Sequence, residues 1–176
     1  MAFHLLAGSD PANKDWIERV APLLSSKFRG TKIQEYQHWK SGGTLNLNQE
    51  VSTLLASLEA DTTPVGVFAK SAGILIALEA LAETAEPPLF AIFCGLPLTM
   101  AEAMDLDIVE LLETIDYPVL FIQNAHDHAG SAEEVRMITG RIETAEFLLL
   151  PGSGHDYPIV GMTQEAIEDF IEDHTD

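Results

Sequence analysis

The chain has 176 residues, one of them a cysteine, and sets 9 Lys and Arg against 28 Asp and Glu for a formal charge of −19 at pH 7. A lone Cys94 excludes an intrachain disulfide and a cysteine-based structural zinc site, and an acidic field of this size repels phosphate backbones and anionic lipid, so no nucleic-acid and no membrane partner is expected. With 47% apolar residues and no apolar run near the ~18 residues of a membrane span, the sequence reads as one globular domain over residues 1–176, cytoplasmic, its oligomeric state left open.

The apolar start, Ala2 to Ala7, lacks a basic flank and reads as a strand rather than a signal peptide. Ala12 to Phe28 carries Trp16, Ile17, Val20, Leu23 and Leu24 at helical spacing. A second strand is predicted from Lys32 to Gln37, and the glycines of His38-Trp39-Lys40-Ser41-Gly42-Gly43 predict a turn. A helix over Asn48 to Glu59 leads to a third strand, Val65 to Ala69. Ala72 to Glu83 is apolar nearly all round, the pattern of a buried central helix. Leu89 to Cys94 is the fourth strand, and Thr99 to Thr114 is mostly helical. Val119 to Gln123 is the fifth strand, Ser131 to Arg141 a helix and Glu146 to Leu150 the sixth strand. Thr163 is placed to cap a last helix with Ala166, Ile167, Phe170 and Ile171 inward. Six strands alternating with helices predict right-handed crossovers and a parallel α/β sheet with helices on both faces. All strands but the second are apolar runs, as when both faces are covered.

Ligands of such sheets bind beyond the carboxyl ends of the strands, so reactive residues just past strand ends carry the functional reading. Three qualify. Ser71, in Ala69-Lys70-Ser71-Ala72-Gly73, sits between a strand and an apolar helix, with small residues two before and two after to let the backbones pass closely. Asp127 follows the fifth strand, where an acid can hold the tautomer of an imidazole. His155 follows the sixth, in the loop Gly152-Ser153-Gly154-His155. Alone, each has a plainer reading: a helix cap, an Asx-turn and an exposed loop histidine. Their chain order and their spacing of 56 and then 28 residues place acid and base on neighbouring loops to one side of the serine.

In these residues the sequence resembles the α/β-hydrolase fold family, most closely its small, lidless, dienelactone-hydrolase-like serine hydrolases. The likeness runs from Phe3 to the last helix and rests on Ala69-Lys70-Ser71-Ala72-Gly73, on Pro118-Val119-Leu120-Phe121-Ile122 leading to Asp127, and on Gly154-His155. It implies a minimal six-stranded sheet in the order 2-1-3-4-5-6, with Ser71 as nucleophile, His155 as general base and then acid, and Asp127 as the orienting acid. It also implies an oxyanion hole made by the backbone N–H groups of Ala72 and Ser9. The activity so implied is that of a serine carboxylesterase on small acyl esters, with an acyl-enzyme intermediate and no cofactor. The alternative is a catalytically idle fold of the same family used as a binding or interaction module.

Gly95 to Pro118 must hold a crossover helix and leaves no room for a large lid. Leu96, Leu98 and Met100 there, and Trp39 after the second strand, are candidates for an apolar substrate wall. No metal site is expected from His126-Asp127-His128, which offers at most two convergent groups. His4 and Cys94 read as core residues, Lys70 as a partner in a loop salt bridge, and Asp156 as a poorer placed acid than Asp127.

Overall fold

The computed structural model describes residues 1–24, 28 and 30–175. Its elements in chain order are β1 (Ala2–Leu6), α1 (Ala12–Leu24), β2 (Gly30–Ile33), α2 (Gln37–Ser41), α3 (Leu47–Glu59), β3 (Val65–Lys70) and α4 (Ala72–Glu83). They continue with β4 (Phe90–Cys94), α5 (Leu98–Ala103), α6 (Ile108–Glu113), β5 (Val119–Asn124), α7 (Ala132–Thr139), β6 (Ala145–Leu150) and α8 (Met162–Asp173). The six strands form one parallel sheet in the order β2-β1-β3-β4-β5-β6. The predicted order therefore holds.

Two cores cover the sheet. On one face Ile17, Val20 and Leu24 of α1 and Ile167, Phe170 and Ile171 of α8 pack against Phe3, Leu5, Phe68, Ile92 and Ile122. On the other, Val51 and Leu54 of α3, Ile74, Ala77, Leu78 and Leu81 of α4, Leu112 of α6 and Val135 of α7 pack against Leu6, Val67, Phe93 and Phe121. Every residue of β1, β4 and β5 is buried, as apolar strands covered on both faces require. No helix among the described residues is long and apolar enough to cross a membrane.

The local departures from sequence expectation have physical causes. The sixth strand was expected to be covered on both faces; β6 is an edge strand and leaves Leu149 44% exposed. The other edge strand, β2, begins two residues earlier than predicted and ends at Ile33. The segment predicted as a turn from His38 is largely taken up by the short helix α2, which starts one residue earlier, and its glycines fall after it, Gly42 taking the C-cap at φ 75°. At α8 the N-cap is Gly161 at φ 50°, while Thr163 lies inside the helix and is buried. The predicted end of the first helix falls partly on residues 25–27, outside the described residues; Phe28 stands outside any element and stacks on Phe3 with ring centroids 4.2 Å apart.

Candidate active site

In-register pairing brings the carboxyl ends of the central strands level. Lys70 at the end of β3 faces Cys94 at the end of β4, and Asn124 at the end of β5 faces Leu150 at the end of β6. Ser71, Asp127 and His155 follow those ends by one, three and five residues. Ser71 has φ 53° and ψ −126°, a left-handed backbone that costs a non-glycine residue energy and is held by its surroundings. Its N–H donates to the Cys94 carbonyl at 3.1 Å and its carbonyl accepts the Ile74 N–H at 2.8 Å. Although Ser71 stands at the N-cap of α4, its hydroxyl makes no capping bond. It reaches His155 Nε2 at 2.7 Å instead.

His155 Nδ1 donates to Asp127 Oδ2 at 2.7 Å. The Asp127 side chain is fully buried and the His155 side chain is 21% exposed. Asp127 Oδ1 accepts the Ala129 N–H at 2.9 Å, so the plainer Asx-turn is present as well. Oδ2 accepts a second donor, the Tyr157 hydroxyl. Burial by itself would raise the Asp127 carboxyl. The hydrogen bonds from His155, Tyr157 and the Ala129 N–H outweigh it and hold the group below its ordinary value. Asp156 is exposed and meets this cluster only through its backbone carbonyl, a 3.1 Å acceptor for Asn124 Nδ2.

Ala72 opens α4, so its N–H is one of the helix's first donors, without an acceptor inside the helix. Ser9 lies in the loop after β1. Its carbonyl takes two donors, His38 Nε2 at 2.6 Å and Trp39 Nε1 at 2.9 Å, while the Tyr36 hydroxyl donates to the Ala7 carbonyl at 2.6 Å. Three residues of the segment 36–39 thus hold the carbonyls on either side of Gly8. Asp10, next in the loop, turns its carboxylate to the Ala12 N–H at the start of α1 (2.8 Å). Trp39 meets the site through Ser9. Leu98 and Met100 are half-buried on α5, whose Thr99 N–H is tied to the Ala129 carbonyl at 3.0 Å. Leu96 is a correction: it is wholly buried in the core and offers no open wall.

Lys70 is a second correction. It ends β3 rather than lying in a loop, is 5% exposed, and makes no salt bridge among the described residues: its Nζ donates to Asn13 Oδ1 at 2.9 Å and lies 4.9 Å from the Trp16 ring centroid. Burial pulls its pKa down, against the opposing pull of the carboxylates of Asp156, Asp127 and Asp10. His4, at 2.6 Å from Asp61, and buried Cys94 behave as core residues. Sequence reasoning missed Tyr157 and Asn124. Asn124 Nδ2 donates to the Gly154 carbonyl at 2.7 Å, fastening the loop that carries His155 to the end of β5. Their one sequence signal is position, at a strand end and beside the histidine.

No protein-family model and no curated protein matches the sequence. Solved structures do match its fold. The esterase Pf2001 of Pyrococcus furiosus superposes with a TM-score of 0.78 at 16% identity, over 98% of this chain and 82% of that one. Est1E of Butyrivibrio proteoclasticus, solved with ferulic acid bound, gives 0.79 at 14% identity, over 98% and 88%. A cold-adapted esterase from an Arctic intertidal metagenomic library gives 0.71 at 20% identity, over 98% and 82%. At such identities the likeness is one of fold, and the fold is that of the α/β-hydrolases.

Proposed function

We propose that this α/β-hydrolase-fold chain is a serine carboxylesterase acting on small acyl esters. The observation that carries the reading is the hydrogen-bonded line from Ser71 Oγ through both ring nitrogens of His155 to buried Asp127, with 2.7 Å at each step. Ser71 Oγ attacks the ester carbonyl carbon while His155 Nε2 takes its proton. Asp127 keeps the other ring proton on Nδ1 and stabilises the imidazolium. The carbonyl oxygen becomes an oxyanion against the N–H groups of Ala72 and Ser9, each such donor being worth roughly 10²–10³ in turnover. His155 then protonates the leaving alkoxide oxygen as the C–O bond breaks, which leaves the acyl group on Ser71. Water, deprotonated by His155, attacks the acyl carbon; Ser71 Oγ leaves with the returned proton and the carboxylic acid departs.

The esterase neighbours add support for the reaction class, and the short helices α5 and α6 support small substrates. They take up the connection from β4 to β5, and Leu112 of α6 is packed in the core. The test is burst kinetics on p-nitrophenyl acetate. One equivalent of p-nitrophenol released ahead of steady turnover, and lost in Ser71→Ala, supports the acyl-enzyme; hydrolysis that persists in that variant contradicts it.

A further inference from the structure

Asp127 Oδ2 receives two hydrogen bonds where orienting an imidazole needs one. The second donor, the Tyr157 hydroxyl, belongs to a wholly buried side chain and itself accepts the Asn124 N–H at 3.1 Å. The ring occupies a place that only glycine leaves open. A Cβ on Gly95, at φ 74°, would stand 2.5 Å from Tyr157 Cε2 and 3.2 Å from His155 Cε1. A buried phenol surrounded so closely, with its hydroxyl satisfied on both sides, fixes the carboxylate oxygen that it shares with His155.

We propose that Tyr157 is a positioning residue that holds the Asp127 carboxylate and weakens its hold on the His155 proton; the proposal rests on the serine-esterase reading of the site. The Tyr157 O–H draws charge from Oδ2. Without it, Oδ2 becomes a stronger acceptor for His155 Nδ1–H, the imidazolium is favoured, and the histidine keeps its proton to higher pH. Five other charged or titratable groups surround the pair, two on its own loops and three on further segments. His128, exposed, has Nδ1 4.0 Å from Asp127 Oδ1 and its ring centroid 5.8 Å from that of His155. Lys70 of β3 is turned to Asn13. Asp10 of the β1 loop caps α1. Cys94 of β4 is buried, which drives its thiol pKa far up and keeps it neutral. Asp156 lies exposed beside His155. None of them shares Oδ2, so the phenol's effect is separable from theirs.

The test is the titration of the His155 ring by NMR in the wild type and in Tyr157→Phe, alongside the pH dependence of kcat/KM. The midpoint should rise in the variant, and kcat should fall about three- to tenfold with KM within about twofold. An unmoved or lowered midpoint, with a loss of thermal stability alone, would make Tyr157 a core residue and overturn the proposal. If Tyr157→Phe does not fold, Tyr157→3-fluorotyrosine keeps the ring and makes the hydroxyl a stronger donor. The midpoint should then fall, and a rise or no change overturns the proposal. The NMR titration needs no turnover. A wild type inert to esters with the expected shift in the variant removes the esterase reading and supports the coupling; active enzyme without the shift removes the coupling alone.

Discussion

Gly73 and Ala7 meet backbone to backbone: a Cβ on Gly73 would stand 2.7 Å from the Ala7 carbonyl oxygen and 2.8 Å from Leu6 Cβ. The neighbour is main chain and cannot swing aside, so the N-terminus of α4 approaches the loop after β1 only because residue 73 lacks a side chain. Gly73→Ala should cost about 1–3 kcal/mol by overpacking. At this chain length that is a drop in Tm of roughly 3–10 °C, together with lower esterase activity as the Ala7–Ser9 loop is pushed from Ser71. Thermal unfolding and ester hydrolysis check it; a variant as stable and active as the wild type would show that the close approach is unimportant.

The Ser9 carbonyl is held by His38 and Trp39. Trp39→Phe keeps an aromatic ring beside Tyr36 and deletes one of the two donors. With the loop less firmly fixed, the Ser9 N–H proposed for the oxyanion hole should be less well aimed. Steady-state kinetics should show kcat several-fold lower, with KM little changed, because the interaction matters most in the transition state. A rise in KM with kcat intact would instead make Trp39 a substrate contact.

Asp127 and Asp156 compete on paper as the acid, and their surroundings separate them. Asp127→Asn presents an amide where three donors converge and favours the wrong His155 tautomer, so turnover should fall by about a thousandfold or more. Asp156→Asn should stay within a few-fold of the wild type. The reverse ranking in kcat would transfer the role to Asp156.

The same carboxylate contributes to stability with a definite sign. Its pKa is lowered in the folded chain. Its contribution is therefore full above the unfolded value of about 3.9 and is lost as pH falls through the lower folded value. The Tm advantage of the wild type over Asp127→Asn should be present at about pH 5 and shrink toward about pH 3. An advantage that grows on acidification through that window would contradict the assignment.

Substrate size follows from the β4–β5 connection. Each added acyl methylene gains about 0.8 kcal/mol only while it is still being buried. Activity on p-nitrophenyl esters should peak at short acyl chains, with no jump above the micellar concentration. Preference for long chains with such a jump would mean that α5 or α6 moves as a lid.

Much of this was legible from the residues. The strands themselves and the strand-end positions of Ser71, Asp127 and His155 show in apolar runs punctuated by small residues, because both signals are local; the order of the strands in the sheet came from the family resemblance. What stayed hidden depends on contacts between distant segments. Tyr157 reaches Asp127 across 30 residues and Trp39 reaches Ser9 across 30, and no local pattern marks a hydroxyl or indole for a distant acceptor. Lys70 looked like a salt-bridge residue because sequence gives charge, not the burial that turned it to Asn13 and Trp16. Leu96 looked like a pocket wall because an apolar residue past a strand end reads alike whether it lines a cleft or fills the core.

The most direct measurement is fluorophosphonate labelling of the intact chain followed by peptide mass spectrometry. The hydroxyl of Ser71, hydrogen-bonded to His155 at 2.7 Å and proposed as the nucleophile, should carry a single phosphonyl adduct. Ser71→Ala, folded as judged by circular dichroism, should take up none. An adduct on another residue, full labelling of Ser71→Ala, or an unlabelled wild type would contradict Ser71 as the nucleophile.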